Sequence, residues 1–186
     1  MSENQKYNSK IHHRKSIRLQ NYDYSQNGYY FITICTKNKE NYFGKIKNQK
    51  MFLNKFGKII KEYWLKIEEV HNFVKLDKFV IMPNHIHGII IIDKNDYYNV
   101  GICQWQTPTE QQNIKNINLP KKSIPSLINH FKGAVKKLAN KNNYENFTWQ
   151  RNYYEHIIRN EKSLVKIQEY IICNPATWED DDLFIL

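Results

Sequence analysis

Runs of aromatic and β-branched residues, bounded by turn signals, predict four strands in this chain. They lie at residues 29–36, 76–82, 85–92 and 147–159. The run at 85–92 is apolar on both faces, which is typical of a central strand covered on both sides. Successive side chains alternate between the faces of a strand, so His85 and His87 are expected to point to the same side. A short turn or hairpin segment is expected between the first strand and Gly44.

Apolar side chains at helical spacing predict three helices. They lie at residues 52–70, 124–141 and 161–174. Ser123 and Asn160 precede the second and third helices as N-caps, and Pro175 marks the end of the third. Residues 93–122 show no strong periodicity and are interpreted as a surface excursion, with a loose hairpin around 101–105.

In sequence order the predicted elements run β-α-β-β-α-β-α. This is the order of the ferredoxin-like split βαβ motif with an added C-terminal helix. The predicted fold class is therefore α+β, with a central antiparallel sheet and helices packed on it. We expect a basic N-terminal arm at residues 1–20, a single domain at 21–178 and an acidic tail at 179–186.

Composition excludes several classes of protein. Of the 186 residues, 41% are hydrophobic and 14% aromatic, enough to build a core and to exclude a fully disordered chain. No apolar run approaches the roughly 20 residues that a membrane span needs, and the polar first residues contain no secretory signal. The three cysteines form no CxxC pair, so neither a disulfide framework nor a cysteine zinc site is expected. A cytoplasmic protein fits these features.

The charge of the chain favours a polyanionic partner. The net charge is +10, and all 28 cations but only 14 of the 18 acids lie in residues 1–178, which leaves +14 there. Nucleic acid is the usual partner of so basic a domain. However, 24 of the cations are lysines in a chain also rich in Asn, Ile and Tyr, a mixture that AT-rich codons produce as well.

His85-Ile86-His87 is the sharpest local signal of chemistry. Two residues apart on one strand, the imidazoles can bind a single cation while Ile86 packs on the opposite face. An apolar strand has little reason to hold two titratable rings on one face unless they have a function.

The last predicted helix supplies a candidate nucleophile. Lys166, Tyr170 and Asn174 are spaced i, i+4 and i+8 and share a face. The phenol of Tyr170 can attack phosphorus once a cation or metal offsets its usual pKa near 10. Tyr153 and Tyr154 are rival nucleophiles. Beside them, Glu155 and His156 are candidates for orienting the metal-binding histidines or contacting the substrate.

Several sequence blocks resemble those of the REP-associated tyrosine transposases, single-tyrosine HUH enzymes related to the insertion-sequence-200-like group. The resemblance runs from about residue 14 to about residue 178 and excludes the 93–122 loop and the acidic end. Its blocks lie at residues 16–19, 22–24, 28–36, 80–87, 149–150 together with 154–160, and 170–175.

The resemblance implies a metal-dependent endonuclease and strand transferase for single-stranded DNA. His85 and His87 would be metal ligands with Asn174 as the third, and the ion would be Mg²⁺ or Mn²⁺. Tyr170 would form a 5′-phosphotyrosine and leave a free 3′-OH. The substrate would be a DNA hairpin with an adjacent single-stranded tag, and the enzyme a monomer or homodimer that acts in DNA transposition.

Basic residues are the expected DNA contacts. They are Arg14, Lys15 and Arg18 on the arm, with Lys132 and Lys136 on the second helix. Three other functions stay open at this point. They are a domesticated DNA-binding protein without strand transfer, a metal phosphodiesterase that uses water, and an HUH replication initiator or relaxase.

Overall fold

The computed structural model describes residues 22–94 and 122–184. These residues form six strands and three α-helices, and each of the four predicted strands and three predicted helices corresponds to one of them. The strands are β1 Gly28–Cys35, β2 Gly44–Lys47, β3 Lys50–Leu53, β4 Val74–Ile81, β5 His85–Ile92 and β6 Tyr154–Ile158. The helices are α1 Lys55–Val70, α2 Ile124–Lys141 and α3 Glu161–Cys173.

Four of the strands form an antiparallel sheet in the order β4-β5-β1-β6. The central position predicted for His85–Ile92 is confirmed, because β5 pairs with β4 on one side and β1 on the other. Its register with β1 sets Thr33 opposite His87 and Cys35 opposite His85. Directly opposed residues share a face, so both pairs lie on one side of the sheet.

Helices cover both faces of the sheet. On one face α1 and α2 pack over Ile32, Ile86 and Ile90, and this cluster is the larger core. On the other face α3 packs its buried Ile171 against a small cluster with Phe31 and Ile89. The histidines of β5 lie on this second, thinly covered face, where a site can open to solvent. Within the described residues, none of the helices has the length and apolarity to span a membrane.

The predicted boundaries hold best where a period is long. The helix at 124–141 is confirmed with the same bounds, and Asn160 caps α3 by accepting a hydrogen bond from the Ser163 backbone N–H. The first helix begins at Lys55, three residues after its predicted start at residue 52, because residues 50–53 form β3 instead. The predicted strand at 147–159 is regular only over β6. The arm at 1–20 and the hairpin around 101–105 lie outside the described residues.

Candidate metal and nucleophile site

His85 and His87 meet on the α3 face of β5, as their spacing predicts. Their ring centroids are 4.4 Å apart, and the two residues are 0% and 3% exposed. Burial lowers the pKa of His87 to about 4 and holds that of His85 well below its ordinary value. Both imidazoles are therefore neutral at pH 7, the form that binds a metal ion.

Polar neighbours fix the orientation of each ring. The Nδ1–H of His85 donates to Asn84 Oδ1 at 2.8 Å, and Thr33 Oγ1 lies 2.8 Å from His87 Nδ1. Asn84 is itself buried and donates from Nδ2 to the backbone oxygens of Lys39 and Leu183. With Nδ1 occupied as a donor, His85 presents the lone pair of Nε2, which is buried and has no hydrogen-bond partner.

Tyr170 reaches the same place from α3. Its phenol oxygen lies 3.1 Å from His87 Nε2, and its ring meets Phe31 edge to face. Phe31 in turn stacks on the His87 imidazole. Tyr170 as a whole is 44% exposed. Partial burial raises the pKa of this phenol to about 12, and the charge of Asp181 adds to the shift.

Asp181 is a candidate site residue that the sequence did not indicate. Its side chain is 4% exposed, with Oδ2 3.9 Å from His85 Nε2 and 2.9 Å from Asn174 Nδ2, which donates to it. The sequence assigned it to an acidic tail at 179–186. The described part of that segment instead packs on the site, where the Leu183 carbonyl accepts a hydrogen bond from Asn84 Nδ2. Trp178, directly before the segment, lies beside His85. An acidic run is usually a solvated surface, so this position carried no local signal.

These side chains fit a divalent cation. One ligand atom from each of His85, His87 and Asp181 lies within 4.8 Å of the others. The side-chain oxygen of Asn174 is also buried and has no hydrogen-bond partner, although its amide nitrogen is occupied. Imidazole nitrogens with carboxylate and amide oxygens form a mixed donor set that suits Mn²⁺ and similar ions. An ion here would supply the contacts that the buried His85 and Asn174 atoms lack.

The cluster borders a cavity of about 600 Å³. Its walls include Thr33, His87, Tyr170 and Asp181. The volume is large enough to hold a nucleotide phosphate beside the phenol of Tyr170. The rival tyrosines Tyr153 and Tyr154 also line this cavity, but it is Tyr170 whose hydroxyl meets a histidine of the cluster.

The other predicted site residues fall in different places. His156 lies opposite Phe31 on the histidine face and is exposed. Glu155 lies opposite Ile32, so it points to the α1 and α2 side of the sheet, away from the histidines. Lys166 is exposed one turn before Tyr170.

The two lysines predicted on α2 as DNA contacts turn toward the protein. Lys132 Nζ donates to the Gln150 carbonyl at 2.6 Å, with those of Arg151 and Asn152 nearby. Lys136 Nζ donates to the carbonyls of Glu145 and Phe147. Their ammonium groups therefore hold the segment before β6 in place. Arg14, Lys15 and Arg18 lie outside the described residues.

Comparisons with known proteins agree with the sequence motifs. No protein-family model matches the chain. An uncharacterized protein of Haemophilus influenzae is 48% identical over 184 residues, which cover 97% of this chain and 98% of the relative. A second protein of that organism, whose name places it among the REP-associated tyrosine transposases, is 26% identical over 83% of this chain and 73% of its own length. The solved structure of a REP-associated tyrosine transposase bound to a REP hairpin matches with a TM-score of 0.55 and 17% identity, over 87% of this chain and 74% of that one.

The chain is similar to the REP-associated tyrosine transposases in sequence and in fold. The family resemblance supports a transposase-like DNA-processing enzyme. At 17% identity, the structural match by itself shows a shared fold. The chemistry of the site therefore depends on the residues that this chain itself places there.

Proposed function

We propose that the protein is a metal-dependent endonuclease and strand transferase that acts on hairpin DNA through a covalent phosphotyrosine at Tyr170. The observation that carries this proposal is the 3.1 Å contact between the Tyr170 hydroxyl and His87 Nε2, at the edge of a cavity that also contains Asp181. A nucleophile beside a candidate metal ligand suits metal-assisted phosphoryl transfer to a protein side chain.

The fold supports the same proposal. The strands β1 and β4, which α1 connects, lie on either side of β5, and β6 pairs with the outer edge of β1. We infer from this order that the sheet is a ferredoxin-like split βαβ with α3 added after its last strand. The added helix is the element that carries Tyr170.

His85 and His87, with Asp181 and Asn174, would hold the divalent ion. The resemblance implies Asn174 as the third ligand, and its buried side-chain oxygen has no hydrogen-bond partner; Asp181 would add the negative charge that a neutral His-His-Asn set lacks. When bound, Mg²⁺ or Mn²⁺ would polarise a phosphate oxygen and neutralise charge that develops in the transition state.

The chain's own residues would position the reacting groups and supply the nucleophile. Phe31 fixes the planes of His87 and Tyr170 through a stacked and an edge-to-face contact. The Tyr170 oxygen would attack the phosphorus, forming a bond to the 5′ phosphate and breaking the bond to the preceding 3′ oxygen. The phenol proton ends on that 3′ oxygen, so the products are a phosphotyrosine and a free 3′-OH. Because one phosphoester replaces another, the reverse reaction can join a new 3′ end.

The experiment that tests the proposal follows the covalent adduct. Labelled hairpin DNA with single-stranded flanks is incubated with the protein and Mn²⁺ and analysed on a denaturing gel. We expect a protein–DNA adduct from the wild type, none from Tyr170→Phe, and an adduct from Tyr153→Phe and Tyr154→Phe, which keep the contact between Tyr170 and His87. An adduct that persists in Tyr170→Phe refutes the nucleophile assignment. A wild type that binds the hairpin without any adduct favours a DNA-binding protein without strand transfer.

A further inference from the structure

A second cleft, of about 620 Å³, adjoins the cavity that holds Tyr170. Lys39 and Gln150 line both, so the two spaces are continuous along the protein surface. The other residues that line the second cleft are Lys37, Asn38, Trp149 and Arg151. We call this space the basic cleft.

The two spaces have opposite charge. Asp180, Asp181 and Asp182 contribute to the walls of the cavity, so protein cations alone do not hold a phosphate there. The basic cleft contains two lysines and an arginine and no acidic residue among its lining. Lys37 and Arg151 are exposed, and neither forms an ion pair with any described residue. These side chains are therefore available to a ligand with negative charge.

The walls of the basic cleft are held in place before any ligand binds. The Lys37 N–H donates to the Thr148 carbonyl at 2.8 Å, and the Gln150 N–H donates to the Cys35 carbonyl at 2.9 Å. Lys132 Nζ donates to the Gln150 carbonyl, and this hydrogen bond holds the second wall. A preformed site loses less conformational entropy on binding than a mobile one.

Trp149 adds an aromatic surface to these cations. Its indole packs against Phe147 with ring centroids 4.9 Å apart, and its Nε1–H donates to the Lys132 carbonyl. The ring is thus fixed in orientation, and Trp149 as a whole is only partly buried and lines the cleft. Cations beside a fixed aromatic ring are the two components that bind single-stranded nucleic acid, through phosphates and base stacking.

We propose that the basic cleft binds the single-stranded DNA next to the phosphate that Tyr170 attacks. Lys37 and Arg151 contact its phosphates, and Trp149 stacks on a base. This inference rests on the proposed function, because it takes the strand in the cleft to be continuous with the strand in the cavity. It also replaces Lys132 and Lys136, whose ammonium groups are occupied, with exposed cations as the DNA contacts near the site.

The test compares the double variant Lys37→Ala/Arg151→Ala with Lys58→Ala/Lys61→Ala, which removes the same charge from the exposed face of α1 in the other layer. Fluorescence anisotropy measures the Kd for a blunt DNA hairpin and for the same hairpin with a 5′ or a 3′ single-stranded extension. Tyr170→Phe is present in every protein, so that no cleavage interferes.

We expect the cleft variant to bind at least one of the extended hairpins about tenfold more weakly and the blunt hairpin within twofold of the parent. Its salt dependence should also fall by about 1.4 log units per log unit of salt, for two lost single-strand phosphate contacts. A cleft variant that behaves like the α1 control, or that loses the blunt hairpin equally, overturns the proposal.

The two proposals fail in different ways. If the wild type forms the adduct but the cleft variant binds extensions normally, the cleft assignment is wrong and the nuclease proposal stands. If the wild type forms no adduct but extensions depend on Lys37 and Arg151, the cleft stands and the nuclease proposal fails.

Discussion

The candidate site combines residues that a local sequence pattern predicts with a residue whose position depends on the fold. His85 and His87 are two apart on one strand, and Asn174, the C-cap of α3, follows Tyr170 by four residues, so the period of each element predicts that each pair shares a face. Asp181 has no such neighbour. Its position depends on how the chain turns after α3, where Ala176 and Thr177 backbone N–H groups bond back to Cys173, and no periodic pattern encodes that turn.

Asn84 is the residue that joins these parts, and we predict that it sets the metal affinity. Its oxygen holds His85 and its amide nitrogen holds the backbone at Lys39 and Leu183, near Asp181. Asn84→Ala should free the His85 ring and loosen the segment that carries Asp181, weakening Mn²⁺ binding measured by calorimetry about 10- to 100-fold.

The control is Asn54→Ala, which removes an N-cap of α1 in the other layer. That variant should lose about 1 kcal/mol of stability with unchanged Mn²⁺ affinity. Equal affinity in the wild type and in Asn84→Ala would contradict the role assigned to Asn84.

Among the helices and strands, those predicted best are the ones in which a single pattern of apolar side chains determines the secondary structure. The double-sided apolar run of β5 and the stripes of α2 and α3 each determine one element, and their bounds are close to those predicted. The strand predicted at 147–159 is shorter for a physical reason. Phe147 and Trp149 are aromatic because they pack with Phe43 in the core, and aromatic packing does not require strand pairing beyond the single bridge of Trp149 with Thr36.

The strand that carries both histidines depends on close packing at Gly88. A Cβ atom placed there would lie 2.4 Å from Trp64 Cζ2, so Trp64 must move out of its fully buried position. Gly88→Ala should therefore destabilise the protein by about 1–3 kcal/mol in urea unfolding. Gly133→Ala in α2 is the matched control, because its Cβ meets nothing within 4 Å, and it should stabilise by about 0.5–1 kcal/mol. A neutral Gly88→Ala would show that β5 and α1 pack less tightly than described.

For the molecule as a whole, the candidate ligands come from distant parts of the chain. His85 and His87 lie on β5, Asn174 follows α3, and Asp181 lies in the last described segment. The histidines of β5 and helix α3 lie on the thinly covered face of the sheet, where the small cluster around Ile171 is the main apolar contact of α3. An ion bound by all of them would connect elements that otherwise share few buried contacts, and it would leave the opposite layer unaffected.

Mn²⁺ should therefore stabilise the folded protein without any DNA. A ligand that binds only the native state at 100 times its Kd adds about 2.7 kcal/mol to the free energy of unfolding, which a thermal or urea titration resolves easily. His87→Ala and Asp181→Asn should lose most of that gain, because the first removes an imidazole donor and the second removes the negative charge of the carboxylate. His130→Ala, which removes an exposed histidine from α2, should keep it. The same gain in His87→Ala as in the wild type would place the ion elsewhere and remove the metal from the proposed site, whatever the outcome of the adduct experiment.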